Sequence, residues 1–163
     1  MGRKDRLEIH EFEGKNSLRY WPQIFGVTSS IWRIVLVVLS KYMPLKVKNF
    51  LLRLTGADIG ENVSIGFAAT LDLFQPDRIS IGDNTIIGYD TVILTHEALQ
   101  DEMRTGPVKV GENVMLGTRS IVLPGVEIGD GAKISAGSLV NRDVEEGEFV
   151  GGTPIRNLED REE

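Results

Sequence analysis

From Ala57 onward, aliphatic residues recur every six positions. Ile59, Ile65 and Leu71 form a first series, and Ile81, Ile87 and Ile93 a second. Val110, Leu116, Val122, Ile128, Ile134 and Val140 form a third. Small or β-branched residues stand two positions earlier, as at Val63, Ala69, Thr85, Thr91, Val114 and Ala132. Glycine follows many of the aliphatics directly, at Gly60, Gly66, Gly82, Gly88, Gly111, Gly117 and Gly129. A helix repeats every 3.6 residues and cannot hold such a row on one face over this length. A simple strand would not need a glycine in each unit. Fixed-period self-similarity is the mark of a solenoid. The physical solution is a three-sided prism in which each side is one six-residue strand and turn. The aliphatic side chain points inward, and the glycine is expected to help the chain round the corner. Three units make a coil of about 18 residues, and coils stack at the inter-strand spacing of about 4.8 Å. An antiparallel sandwich would instead alternate with a period of two between regular turn signals. The unbroken phasing from Val110 to Val140 excludes it.

The phasing breaks twice. Four residues too many separate Leu71 from Ile81, and eleven too many separate Ile93 from Val110. Insertions in a solenoid become loops on one face, often the binding face. Function is therefore expected at the bulge around Asp72–Arg78 and at the loop Leu94–Pro107.

Residues 1–28 are mixed and polar, without clear periodicity. The next stretch reads as helical. Ser29 or Ser30 can cap a first helix over Ile31–Lys41, Pro44 breaks it, and a second helix over Leu45–Leu54 ends at Gly56. Five basic residues fall here and no acidic ones: Arg33, Lys41, Lys46, Lys48 and Arg53. Two readings compete. An apolar helix can cover the open end of a solenoid, with subunit contacts as an added role. A basic apolar helix can also lie on an anionic membrane surface. The cap is favoured over peripheral membrane contact through 31–54. The acidic tail Glu159–Glu163 is expected to be solvated. The chain thus divides into an N-terminal arm and helical cap (1–56), the prism (57–152) with its loop 94–107, and a C-terminal tail (153–163).

With 163 residues, one domain is the natural expectation. Eighteen glycines and 7% aromatics fit many tight turns around a core of small aliphatic side chains. A net charge of -6 argues against nucleic acid, and a phosphate-bearing ligand needs a local basic patch. The lack of cysteine excludes a disulfide framework, a thiolate metal site and a cysteine nucleophile. The first 20 residues hold no continuous apolar core. The longest apolar run, Ile34 to Leu39, is far shorter than the roughly 18 residues of a membrane span. Both point to the cytoplasm.

There are two histidines. His10 lies in the irregular arm and is expected to be a solvated surface residue. His96 falls where the phasing fails, in the string ILTHEALQDEMRTGP. A neutral imidazole there can take a proton from a hydroxyl or amine as that group attacks a carbonyl. A carboxylate should fix its tautomer. Asp72, which takes the glycine position of its hexad, and Glu97 are both candidates.

The strings IGDNTIIGYDTVILTHE, VKVGENVMLGTRSIVLPGVEIGDGAKISAGSLVNRDV and FVGGTPIRNL resemble the hexapeptide-repeat acetyltransferases, in the group of maltose, galactoside and capsule-type O-acetyltransferases. The resemblance covers about residues 57–156. It implies an all-β solenoid, a left-handed parallel β-helix preceded by the N-terminal helical segment. It implies acetyl-CoA (coenzyme A) as the acyl donor, with no metal. It also implies a homotrimer with active sites in the clefts between prisms. The family's catalytic histidine matches His96. Positions along the pantetheine arm match Gly117, Thr118, Ala136 and Ser138. Those near the adenosine phosphates match Asn141, Arg142, Pro154 and Arg156, and a forked guanidinium suits phosphate. The acceptor is expected to be a hydroxyl, or an amine, of a saccharide or small molecule. The chain departs from the sugar acetyltransferases in three ways. Met115 replaces an aromatic residue, no asparagine stands near Gly66–Ala69, and Glu97 replaces the frequent proline. These departures point away from galactoside or maltose.

Three other classes compete with this one. A γ-type carbonic anhydrase on the same prism needs three histidines around zinc, and the prism offers His96 alone. A non-catalytic scaffold would bind no coenzyme A. An enzyme that takes its acyl group from an acyl-carrier protein would need a basic docking surface, for which the helical segment is the one obvious place.

Overall fold

In the computed structural model, which describes residues 2–14 and 16–158, the six-residue rows become three parallel sheets around one core. The first face stacks Asp58–Ile59, Ile79–Ile81, Val108–Val110 and Glu127–Ile128. The second stacks Ser64–Ile65, Ile86–Ile87, Met115–Leu116, Lys133–Ile134 and Phe149–Gly151, and ends on the antiparallel Arg156–Asn157. The third stacks Thr70–Leu71, Val92–Ile93, Ile121–Val122 and Leu139–Val140. The register sets aliphatic on aliphatic: Ile59 on Ile81, Val110 and Ile128; Ile65 on Ile87, Leu116, Ile134 and Val150; Leu71 on Ile93, Val122 and Val140. All of these are buried. Each contributes about 1.5–3 kcal/mol of apolar burial, which is why the row tolerates no polar residue.

The repeat glycines do not turn the corners, contrary to expectation. The left-handed backbone falls two residues later, at Asn62, Ala68, Asn84, Asp90, Asn113 and Arg119. A Cβ on Gly88 would instead lie 2.5 Å from the amide nitrogen of Thr118, and one on Gly117 2.5 Å from that of Ala136. Glycine is required because consecutive coils touch backbone to backbone. This holds along two edges of the prism. Gly60, Gly82, Gly111 and Gly129 line the edge between first and second faces; Gly66, Gly88 and Gly117 line the edge between second and third. The third edge carries Asp72, Leu94, Leu123 and Asn141 at the equivalent positions. Both insertions leave from it.

The longer insertion is a hairpin rather than a loop. Its strands His96–Ala98 and Glu102–Thr105 are joined by Glu8–Glu11 from the N-terminal arm. The shorter one closes with a 3-10 turn over Pro76–Arg78. Residues 2–14 and 16–28 are correspondingly more ordered than their lack of period suggests, with 3-10 turns at Arg3–Arg6 and Ser17–Tyr20 and helix α1 at Trp21–Phe25. Their partners are remote in sequence. Arg3 Nε donates to the Pro124 carbonyl, Arg6 Nε to that of Gly125, and Arg6 also pairs with Asp143.

Helix α2 spans Val27–Ser40 and starts earlier than expected. Gly26, at φ 73°, makes the turn into it. Ser29 and Ser30 are not caps; they lie inside the helix and their hydroxyls donate back to Phe25 and Gly26 carbonyls at 2.7 and 2.6 Å. Helix α3 spans Leu45–Leu54, as expected, and lies across the open end of the prism. First-coil carbonyls have no preceding coil to bond, and α3 satisfies them. Asn49 donates to Val63, Arg53 to Ile59, and the Lys48 ammonium to Gly66 and Ala69 at 2.8 and 2.9 Å. Burial, with Lys41 nearby, lowers the Lys48 pKa from 10.5 to about 8. The acidic tail Glu159–Glu163 lies outside the described residues.

Candidate active site

The third edge, where the coils are free to separate, holds a tightly organised polar centre. Asp72 follows Leu71 at the start of the bulge and is 1% exposed. Its Oδ1 accepts the amides of Phe74 and Gln75 at 2.8 and 3.1 Å, and its Oδ2 accepts that of Thr95 at 2.8 Å. His96 Nδ1 lies 2.6 Å from the same Oδ2. Burial pushes the carboxyl upward, but the hydrogen bond and charge of His96, with the amides of Gln75 and Thr95, outweigh it and hold Asp72 below its ordinary value. An ionised carboxylate only accepts, so Nδ1 carries a hydrogen, and in the ring's neutral form the lone pair falls on Nε2.

Aromatic rings grip the imidazole. Phe74 meets it edge-on at 5.1 Å and Phe25 at 5.6 Å, and the two phenyl rings stack on each other at 4.8 Å. Trp21 stacks on the far side of Phe74 at 5.4 Å. Arg33 of α2 holds this bulge, donating to the Phe74 carbonyl at 2.9 Å and pairing with Asp77 at 2.9 Å. The His96 side chain stays 16% exposed, so it is clamped yet reachable. Sequence reasoning missed the clamp. Phe74 carried a signal, its place in the bulge; Trp21 and Phe25 sit in the arm, where no period marks them.

Of the two candidate carboxylates, the geometry joins Asp72 to His96. Glu97 turns the other way and takes Arg3 at 2.5 Å, as strand alternation requires for adjacent residues. His10 is not a solvated residue of an irregular arm. It sits on a strand opposite Met103, half-buried, with Nε2 3.5 Å from the Thr105 hydroxyl.

The positions matched to the coenzyme fall on two edges. Gly117, Thr118 and Ala136 stack at the edge between second and third faces, where Thr118 and Ala136 are exposed. Ser138 is buried, donates to the Ser135 carbonyl at 2.6 Å and accepts the Gly152 amide at 3.2 Å. Asn141 and Arg142 belong to the third edge, while Pro154 and Arg156 are exposed at the far end of the coil stack. Arg142 already pairs with Glu148 at 2.9 Å; that hydrogen bond raises the Arg142 pKa and lowers that of Glu148. Within one chain, therefore, the third face separates His96 from Gly117, Thr118 and Ala136.

Known proteins share this architecture. The family described as hexapeptide repeat of succinyl-transferase matches residues 107–142. "Putative acetyltransferase YvoF" of Bacillus subtilis (strain 168) is 41% identical over 160 residues, 97% of this chain and 93% of its own length. The galactoside O-acetyltransferase of Escherichia coli (strain K12) is 34% identical over 117 residues, 63% of this chain and 58% of its own. Among solved structures, the hexapeptide-repeat containing acetyltransferase VCA0836 of Vibrio cholerae, complexed with acetyl coenzyme A, matches with a TM-score of 0.66 at 21% identity, over 83% of this chain and 88% of that one. The prism is accordingly a left-handed parallel β-helix.

Proposed function

The chain belongs to the hexapeptide-repeat acetyltransferases, and from that premise we propose that it moves an acetyl group from acetyl-coenzyme A to a hydroxyl of a sugar-like or small-molecule acceptor, with His96 as general base. The observation that carries this reading is the buried Asp72 carboxylate at 2.6 Å from His96 Nδ1. It leaves Nε2 as a proton acceptor on a ring held by two phenyl edges. Galactoside O-acetyltransferase among the relatives supports an oxygen acceptor. The coenzyme arm fits the edge between second and third faces, where Gly117, Thr118 and Ala136 offer small side chains and reachable backbone; Pro154 and Arg156 would meet its phosphates, and Asn141 and Arg142, on the third edge, would join them from a neighbouring prism.

In the reaction, His96 Nε2 takes the acceptor hydroxyl proton as the oxygen attacks the thioester carbonyl. The C–S bond of the resulting tetrahedral species breaks, and the imidazolium returns the proton to the departing thiolate. Asp72 stabilises the imidazolium without itself taking the proton. A homotrimer is part of the proposal: a neighbouring prism can bring its second edge to the third edge of this one. The far separation of the two half-sites within one chain supports it.

Calorimetric titration with acetyl-coenzyme A, controlled with free and desulfo-coenzyme A, comes first; binding of about one per chain is expected. Thiol release then reports turnover, with no background from a chain that lacks cysteine. His96→Ala should lower turnover at least ~100-fold while coenzyme binding persists. An unchanged rate removes His96 from the base role, and no binding at millimolar coenzyme removes the donor.

A further inference from the structure

Helix α2 is apolar outward as well as inward. Against the prism it buries Ser30 and Ser40 beside Val37. Outward it turns Val27, Ile31, Trp32, Val35, Val38 and Leu39, a row at helical spacing along its whole length. Tyr42, in the connection, is 70% exposed, and α3 continues the surface with Val47, Phe50 and Leu54. A surface helix in water presents the opposite pattern. A contiguous apolar face of this size marks an interaction site rather than scattered exposure.

Charge selects the partner. From Gly14 to Ala57 the sequence contains no acidic residue, although the whole chain carries -6. Arg33, Lys48 and Arg53 of this stretch are turned toward Asp77 and the first-coil carbonyls. Lys46 is exposed at the start of α3, and Lys41 is half-buried beside Tyr42. A second copy laid on this face would set cation against cation. Side-by-side prisms, the arrangement proposed above, leave the ends of the coil stack uncovered and bring three such faces to one end.

We infer that the outward face of α2 and α3 docks on the surface of an anionic phospholipid bilayer, with its aliphatic and aromatic side chains at the acyl boundary and Lys41 and Lys46 among the lipid phosphates. The docking is peripheral. Among the described residues no single helix is long and apolar enough to cross a bilayer; α2 has 14 residues where about 20 are needed. The cap and the membrane surface are thus two sides of one helical pair. Phe25, which touches His96, ends α1 immediately before the turn into α2. On the acetyltransferase reading, docking would bring the catalytic centre close to acceptors displayed on the lipid surface.

Flotation of the full-length protein with vesicles tests this independently of activity. The protein should float with phosphatidylglycerol-rich vesicles. The double variant Ile31→Glu/Leu39→Glu should lower the bound fraction at least ~10-fold, and Lys46→Glu about fivefold. Circular dichroism and coenzyme A binding should be unchanged in both. Three results would overturn the inference: wild-type protein that stays with the soluble fraction, a double-Glu variant that floats equally well, or a higher assembly dissolved by Ile31→Glu/Leu39→Glu that binds no vesicle.

Discussion

The prism and the helical pair at its end obey opposite rules. In the prism every aliphatic of the six-residue row is buried, and the outward residue beside it on the first face is polar, as with Asp58, Ser80, Lys109 and Glu127. In α2 Ser30 and Ser40 are inside with Val37, while Val27, Ile31, Trp32, Val35, Val38 and Leu39 are outside. The first face of the prism is solved for water. The helical pair is solved for water on one side only. Identical residue types therefore carry different consequences depending on which region holds them, and that difference can be measured.

The largest contrast is expected between two isoleucines. Ile87 is 1% exposed within the second face, and Ile87→Ala should cost about 2–5 kcal/mol in urea unfolding. A loss below about 1 kcal/mol would mean the coils repack freely and the row is not the determinant of the fold. At the junction of the two regions, Asp72→Asn should lower thiol release at least ~100-fold, or about 2.7 kcal/mol of barrier, with coenzyme affinity unchanged. A change within about threefold would reduce the Asp72–His96 pair to a structural contact.

Lys48 tests the seam between cap and prism. Lys48→Met removes the ammonium from the Gly66 carbonyl, which keeps the Ala69 amide, and from that of Ala69, and should cost about 1–3 kcal/mol at neutral pH. The pH dependence has a definite sign. The folded pKa of about 8 lies below the 10.5 of the free group. Below pH 8 both states hold the proton and the burial cost is fully present. Between about 8 and 10.5 the unfolded state holds more protons, so wild-type stability rises with pH relative to Lys48→Met. A difference that stays flat across that window would place the ammonium in a more solvated setting. The smallest effect is expected for Ile31→Ala: at 56% exposure it should change stability within about ±0.5 kcal/mol in water.

The same contrast explains what the sequence disclosed. The prism was legible because each coil repeats its neighbour's environment, so Ile65, Ile87, Leu116 and Ile134 announce one another. Asp72 and His96 were legible for the complementary reason, as interruptions of that rhythm. The arm was not. Arg3, Arg6 and Glu8 find their partners at Glu97, Asp143 and Arg78, distances along the chain at which no local pattern survives. Phe25 meets His96 in the same way. The role of the repeat glycines was misread because a backbone contact between coils leaves the same residue in the sequence as a left-handed turn. Ser29 and Ser30 resembled caps because a hydroxyl that bonds the preceding turn from inside a helix is indistinguishable, in sequence, from one that bonds the turn ahead.

The unequal edges set how this architecture can be altered. Along two of them the chain is riveted coil to coil, and a single added methyl at Gly88 or Gly117 already collides with the backbone above. The third behaves like the spine of a loose-leaf binder, open to new pages without disturbing those beside them. Both insertions leave there, and both carry part of the proposed catalytic centre. Redesign of acceptor range should therefore lengthen the hairpin tip at 99–101, keep Phe74 and the amides that hold Asp72, and leave the other two edges untouched.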